Sequence, residues 1–347
     1  MKGLFLVKHN KAEFRKVEKP KIKNPTDVII KISLTTICGS DIHLIDGIIP
    51  STPGYVLGHE YVGLIEEVGD EVKNFKKGDR VIGPPAPYCG KCHHCKIGFS
   101  SHCLNGAVHG SGIERGNLSG SHAEYIRVPY ADSCLLAVPS ELTDEQVIFI
   151  SDILSTGYAS LLNSNFKKGE TLVVFGAGPV GLCTIACAKL LNAGMIIVVG
   201  RKDKFRLNTA KKLGATHIIH ASEEEVLSKI NIITEGRGAN VAVDAAGSQT
   251  TIEQAVRCVG IGGRVSLAGI VGTPITLPIN EVFFKNISIN MGLGSLNYKA
   301  ELMKYIQEGK IDLSALITHR MSLDDIEMAL DIFKERTEDV IKIMVKP

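Results

Sequence analysis

Thr171-Leu-Val-Val-Phe-Gly176-Ala-Gly178-Pro-Val-Gly181 is the stretch whose reading decides the fold. Leu172 to Phe175 is a short apolar run that predicts a buried strand, and the glycines at 176, 178 and 181 predict a tight turn opening a helix at Pro179. In a strand–turn–helix unit those glycines permit the sharp turn, the close approach of a pyrophosphate and the contact of helix with strand, while the helix N-terminus offers N–H groups to phosphate. Gly176, Gly178, Pro179, Val180 and Gly181 are therefore candidate dinucleotide-binding residues.

Taken alone, such a turn occurs in any α/β sheet. Its surroundings narrow the reading. From Thr171 onward the apolar segments LVVF, MIIVVG, THIIH, NVAVDAA, RVSLAG and ISINMG alternate with helix-length stretches such as 202–213 and 249–259, the rhythm of a doubly wound parallel sheet. The second segment, Met195 to Val199, ends where an NAD-binding fold usually carries an acidic residue for the adenosine ribose. Here Gly200-Arg201-Lys202 stands instead, removing a carboxylate and supplying two cations, which favours NADP(H) over NAD(H). Two other readings stay open: Arg201 and Lys202 cap an exposed helix start, and Asp203 reaches the ribose. The strand ends Asp244 to Gly247 and Leu267 to Ile270, with Ala246 and Gly269 among them, lie where this architecture brings loops to the nicotinamide half.

The residues before this region read differently. Val28 to Ile32, Tyr61 to Val68, Arg80 to Ile82 and Glu124 to Val128 are short β-rich pieces broken by Gly and Pro. After Gly294 come two amphipathic helical segments, Tyr298 to Gln307 and Ser322 to Phe333, and a final β-like VIKIMV that does not continue the alternation. The expected division is residues 1–152 with 297–347 as a β-rich domain receiving the tail, and 153–296 as the cofactor domain.

Composition bounds the function. At 347 residues, 44% hydrophobic and 22% charged, the chain has the balance of an ordinary two-domain globular protein. Its 39 basic and 37 acidic residues give a net charge of +2 with no basic block longer than Lys-Lys, so nucleic acid is not an expected partner. MKGLFLVKHN offers too few apolar residues between Lys2 and Lys8 for a secretory signal, so a cytoplasmic location is expected. Leu172 to Ala188 is uncharged, but its glycines and proline favour strand, turn and helix over a membrane span.

Nine cysteines, five of them by position 103, point in a reducing compartment to metal rather than disulfides. Cys89, Cys92, Cys95 and Cys103 form C-x2-C-x2-C-x7-C, four soft ligands able to close a tetrahedral shell around structural zinc. His93, His94 and His102 are expected to face solvent. A second set is scattered: Cys38 in ICGSDIH, His59-Glu60 in LGHEYVG, and Asp152 in SDILSTG. Thiolate, imidazole and carboxylate from separate segments, leaving one position open, suit a catalytic zinc acting as a Lewis acid, although isolated residues of these types are more often structural. On an extended strand His59 and Glu60 would point to opposite faces, so Glu60 is either an adjustable ligand or a neighbour.

With CGSDIH, GHEYVGLIEEVG, the four-cysteine lobe and GAGPVG in that order, the whole chain resembles the zinc-containing medium-chain dehydrogenase/reductase family. The resemblance implies a GroES-like β-rich catalytic domain beside a Rossmann domain, zinc on Cys38 and His59, and a small alcohol or ketone as substrate. SDILSTGYAS resembles the bacterial secondary alcohol dehydrogenase branch, which assigns Asp152 to zinc and agrees with NADP(H); the polyol branch, an NAD(H)-linked alternative, has glutamate then proline there. Some NADP-dependent members of that branch lack the four lobe cysteines that this chain keeps. Ser40 and His43 resemble the family's proton relay, Ser40 touching substrate and His43 exchanging protons, though Ser40 alternatively caps the helix that follows. Thr156, just past Asp152, is expected near the reacting centre. A homo-oligomer, tetramer rather than dimer, is implied by the resemblance.

Overall fold

A computed structural model describes residues 1–201, 203–294 and 296–347. The apolar runs of the first 152 residues form β1 (Lys2–Lys8), β2 (Lys11–Lys16), β3 (Val28–Thr36), β4 (Tyr55–Val56), β5 (Tyr61–Val68), β6 (Arg80–Gly83), β7 (Tyr125–Val128) and β8 (Leu136–Ala137). The alternating part supplies β9 (Thr171–Phe175), β10 (Met195–Gly200), β11 (His217–His220), β12 (Ala239–Asp244), β13 (Val259–Leu267) and β14 (Ser288–Met291), and the tail adds β15 (Ile317–Ser322) and β16 (Lys342–Lys346). The described residues fall into two units, Met1–Asp152 with Ser295–Pro347, and Ile153–Gly294.

In the first unit β2-β1-β4 form one small sheet, and β15-β16-β3-β5-β6-β8 a larger one in which β7 also pairs with β3. β3 is the spine. Of its nine residues only Lys31 is exposed, and Val28, Ile30 and Ile32 bury against Tyr61, Ile65, Val81 and Ile126. Its antiparallel register sets Thr35 opposite Tyr61, so the residues just after β3 and just before β5 emerge at the same sheet end. Gly83 of β6 lies opposite Tyr61 too. The tail joins through β16, where Val345 pairs with Thr35, and through the helix Ile326–Glu335, whose Ile326, Leu330 and Phe333 pack on Leu4, Leu6 and Ile37. That helix begins four residues later than its amphipathic pattern suggests, because Leu323–Asp325 form a 3-10 turn in which Ser322 hydrogen-bonds Asp325.

The second unit is an all-parallel sheet in the order β11-β10-β9-β12-β13-β14. The chain winds outward from β9 to one edge, then returns beside β9 and winds to the other, leaving a switch point between β9 and β12. Parallel strands are covered on both faces, which is why Val173, Phe175, Ile197, Val243 and Val265 are all buried without alternation. β13 starts five residues before the apolar RVSLAG, running through Gly260, Gly262 and Gly263 with a register shift against β12. Glycines concealed that extension from the sequence pattern. The uncharged 172–188 segment is strand β9, a turn and the start of the helix Pro179–Leu190, and no helix among the described residues is long and apolar enough to cross a membrane.

Candidate functional site

The sheet end of β3, β5 and β6 gathers the scattered donors. Cys38 follows β3 and begins the helix Gly39–Ile45; His59 and Glu60 immediately precede β5; Asp152 follows a 3-10 turn that Ser151 fastens to the Gly83 carbonyl at the end of β6. One ligand atom each from Cys38, His59, Glu60 and Asp152 lies within 4.8 Å of the others. Because His59 and Glu60 stand in the irregular segment 57–60 before the strand, the alternation that would separate their side chains does not apply. Asp152 Oδ2 is 3.6 Å from Cys38 Sγ and 3.4 Å from His59 Nε2. Donors about 2.0–2.3 Å from a tetrahedral zinc stand roughly 3.3–3.8 Å apart, so thiolate, imidazole and carboxylate fit such an ion.

Charge gives a second test. His59 and Glu60 are buried, whereas Cys38 and Asp152 are half-buried, so the cluster is closed on one side and accessible on the other. Burial drives the Cys38 thiol up, with Asp152 and Glu60 adding to the rise against the pull of His59. The Glu60 carboxyl is pushed up to about 7 by burial, partly offset by Lys342 and reinforced by Asp152. Burial opposes charge on His59, yet Asp41 and Asp152 outweigh it and raise the imidazole well above its ordinary value. Glu60 Oε2 is buried with no hydrogen-bond partner. A site that crowds acidic groups around one imidazole and leaves a carboxylate oxygen unmatched suits a cation.

Three supporting residues surround this cluster, of which only Asp41 lies within a sequence motif, CGSDIH. Asp41 accepts the Cys38 N–H at 2.9 Å and lies 3.3 Å from His59 Nδ1, orienting the ring so that Nε2 faces the cluster. His122 Nε2, fully buried, lies 3.1 Å from the other Asp41 oxygen. Lys342, also fully buried, donates to Glu60 Oε1 at 2.6 Å and to the Ile37 carbonyl at 2.8 Å. Its signal was a lysine inside VIKIMV, where a strand that apolar has no reason to hold a cation without a partner. Ser40 Oγ is 3.3 Å from His59 Nε2; it is not the helix cap, which is Cys38. His43 is half-buried, its Nδ1 has no partner, and burial lowers its pKa.

The cysteine lobe is separate. Sulfur–sulfur separations are 3.5 Å for Cys92–Cys95, 3.8 Å for Cys92–Cys103 and 3.5 Å for Cys89–Cys103, and the four donors again share a 4.8 Å neighbourhood. Although burial opposes it, N–H bonds from Asn105 and the backbone of Lys91 and Cys92 lower Cys89 to about 6, while burial first of all lifts Cys95 to about 12. His93 and His102 are exposed; His94 is half-buried, its Nδ1–H donating to the His102 carbonyl at 2.6 Å.

In the second unit Gly176 sits at φ +101°, where only glycine is unstrained, and a Cβ on Gly181 would come 2.0 Å from the Gly176 carbonyl oxygen. Gly178, at the cap of the helix Pro179–Leu190, faces open space, and Val180 follows in its first turn. A Cβ on Gly200 would strike Leu207, so that glycine has a packing reason as well. Arg201 is exposed, and Lys202 lies outside the described residues. The cap of the next helix is Asp203, which accepts from Arg206 N at 2.9 Å, so Arg201 does not cap it. Ala246 and Gly269 both lie beside the fingerprint turn or its neighbour: a Cβ on Gly176 would be 3.2 Å from Ala246 Cβ, and one on Gly269 3.0 Å from Ala246 C. Thr156 is half-buried on the helix Ile153–Asn163.

Against known proteins, residues 24–140 match the alcohol dehydrogenase GroES-like domain and residues 179–309 the zinc-binding dehydrogenase model. An alcohol dehydrogenase of Cupriavidus necator is 35% identical over 100% of this chain and 99% of its own length. A sorbitol dehydrogenase of Bacillus subtilis is 32% identical, covering 98% of this chain and 96% of its own. The alcohol dehydrogenase TADH from Thermus sp. ATN1 superposes with a TM-score of 0.94 at 32% identity, covering 100% and 99% of the two chains. A Sinorhizobium meliloti protein bound to NADP (TM-score 0.88, 27% identity, 100% and 99% covered) and an Escherichia coli alcohol dehydrogenase, RspB, complexed with NADH (0.90, 27%, 100% and 99%) are also similar.

Proposed function

We propose, from the premise that the chain belongs to the zinc-binding alcohol dehydrogenase family, that it interconverts a small secondary alcohol and its ketone with NADP(H). The observation that carries this reading is the convergence of Cys38, His59, Glu60 and Asp152 around one accessible point. Zinc bound there would supply a Lewis acid for the substrate oxygen, and a bound nicotinamide dinucleotide would supply the hydride chemistry.

Cys38, His59 and Asp152 hold the metal, and Asp41 keeps the His59 ring turned toward it. Lys342 holds one oxygen of Glu60 and leaves the other as an adjustable ligand. Ser40 contacts the substrate hydroxyl. His43, three residues on along the same helix and kept neutral by burial, takes the proton toward solvent. Cys89, Cys92, Cys95 and Cys103 hold a second, structural zinc that staples the lobe. Gly176, Gly178, Pro179, Val180 and Gly181 cradle the pyrophosphate; Arg201 and Lys202 pair with the 2′-phosphate; Thr156, Ala246 and Gly269 border the nicotinamide half. Support for NADP(H) comes from the absent carboxylate at Gly200 and from Asp203, whose carboxylate is engaged by Arg206 N and by Arg206 Nε at 3.0 Å.

We assign residues 1–152 and 297–347 to the catalytic domain and 153–296 to the cofactor domain, and the protein to the cytoplasm as a homotetramer without nucleic-acid or membrane partners. Exposed Phe283 and Phe284, and exposed Met291 on the edge strand β14, support self-association. The test follows reduced-nicotinamide absorbance with NADP⁺ or NAD⁺ and 2-propanol, 2-butanol, ethanol or sorbitol, before and after chelation. Chelator-sensitive oxidation of secondary alcohols with NADP⁺ is expected; turnover of sorbitol alone with NAD⁺ replaces both the substrate and the cofactor in this reading.

A further inference from the structure

The last residue of β12 has no part in the chemistry above, yet it is fully buried and carries a carboxylate. Asp244 Oδ2 accepts from Gly247 N at 2.9 Å and Oδ1 from Ala246 N at 3.4 Å. Its own carbonyl accepts from Ala268 N at 2.8 Å and Gly269 N at 3.0 Å. One residue thus fastens the loop after β12 with its side chain and the loop after β13 with its backbone.

These loops interlock. A Cβ on Gly247 would lie 2.2 Å from the Ile270 carbonyl oxygen, and one on Gly269 would lie 2.3 Å from Gly247 N. Ala245 N donates to the Phe175 carbonyl at 2.9 Å, which ties the same segment to the strand end preceding Gly176. Burial raises the Asp244 carboxyl above its ordinary range despite hydrogen bonds from the Thr251 side chain and from the N–H groups of Gly247 and Ala246, so the group stands at a cost that these bonds offset. In an open parallel sheet, ligands bind outside the carboxyl ends of the strands at the switch point. The fingerprint and the end of β10 take the adenosine side, which leaves the ends of β12 and β13 to the other half of a dinucleotide.

We propose that Asp244 is a positioning residue for the nicotinamide half of the cofactor, holding the Ala246–Gly247 and Ala268–Ile270 loops in the one arrangement that the bound dinucleotide meets. The proposal rests on nicotinamide dinucleotide binding by the second unit. The test titrates wild type, Asp244→Asn and Asp244→Ala with NADPH and with 2′,5′-ADP, or with NADH and 5′-AMP if wild type prefers NADH. Removing two loop bonds is expected to weaken the whole dinucleotide by about tenfold in Asp244→Ala, while the adenosine fragment stays within about twofold. Asp244→Asn, which keeps one acceptor, falls between. A folding defect common to both halves would weaken fragment and dinucleotide alike, and that outcome overturns the proposal, as does unchanged dinucleotide affinity in both variants. Wild type that bound neither dinucleotide would remove the cofactor reading itself and the proposal with it.

Discussion

Two clusters of side chains able to hold a metal share the first unit and are assembled by different means. The cysteine lobe draws its donors from positions 89 to 103, joined by short turns and the single-turn helix His93–Lys96. The mixed cluster draws Cys38, His59, Glu60 and Asp152 from three segments that only the pairing of β3 with β5 and β5 with β6 brings together. The first lies in a lobe exposing Ile97, Phe99 and Leu104, with little core of its own, which a bound metal would organise. In the second, a buried sheet organises the donors, backed by Asp41, His122 and Lys342, and leaves one side accessible. A metal that makes structure and a structure that makes a metal site respond differently to the same deletion.

The largest effect expected from that difference is on turnover. Cys38→Ala or His59→Ala is predicted to lower kcat by about a thousandfold or more while leaving the melting curve nearly in place, since β3 and β5 hold each other without the metal. Unchanged turnover in both variants would sink the assignment of the mixed cluster as catalytic. Cys95→Ser or Cys103→Ser is predicted to do the reverse, costing several kcal/mol of stability, about 3 or more, in thermal unfolding while the folded fraction keeps most of its kcat. A lobe variant that melted like wild type would erase the contrast.

The next effect separates Lys342 from Glu60. Lys342→Met leaves Glu60 buried without its cation and is predicted to destabilise by roughly 3–5 kcal/mol, most of it recovered by adding Glu60→Gln. Denaturant titration of the double-mutant cycle reads this, and additive losses would mean that the pair is not coupled. The smallest effect lies outside the metal sites: Arg201→Ala is predicted to raise the KM for NADP⁺ about tenfold with that for NAD⁺ unchanged. Equal shifts for both cofactors would show that Arg201 touches no 2′-phosphate.

The lobe and the fingerprint turn were legible because their logic is local. Four cysteines at short spacing can only converge, and the three glycines at 176, 178 and 181 each answer a constraint within one strand–turn–helix unit. The mixed donors were individually visible, yet nothing in their spacing said that His59 and Glu60 leave the strand pattern or that Asp152 reaches them. His122 was silent for the same reason, and the lysine inside VIKIMV asked for a partner without naming it, both being long-range partners of Asp41 and Glu60. The start of β13 was hidden by glycines that pair as strand despite weak strand propensity.

Composition, periodicity and motif order determined by themselves that the chain is α/β with a parallel cofactor sheet, a β-rich partner region and a thiolate lobe, because each of those is written in residues close to one another along the chain. Only the tertiary structure decided which carboxylates surround His59, which cation answers Glu60, and that Asp244 fastens two loops at once. Those relations depend on strand register and burial, which convert distant positions into neighbours and make an unmatched charge costly enough to require a partner.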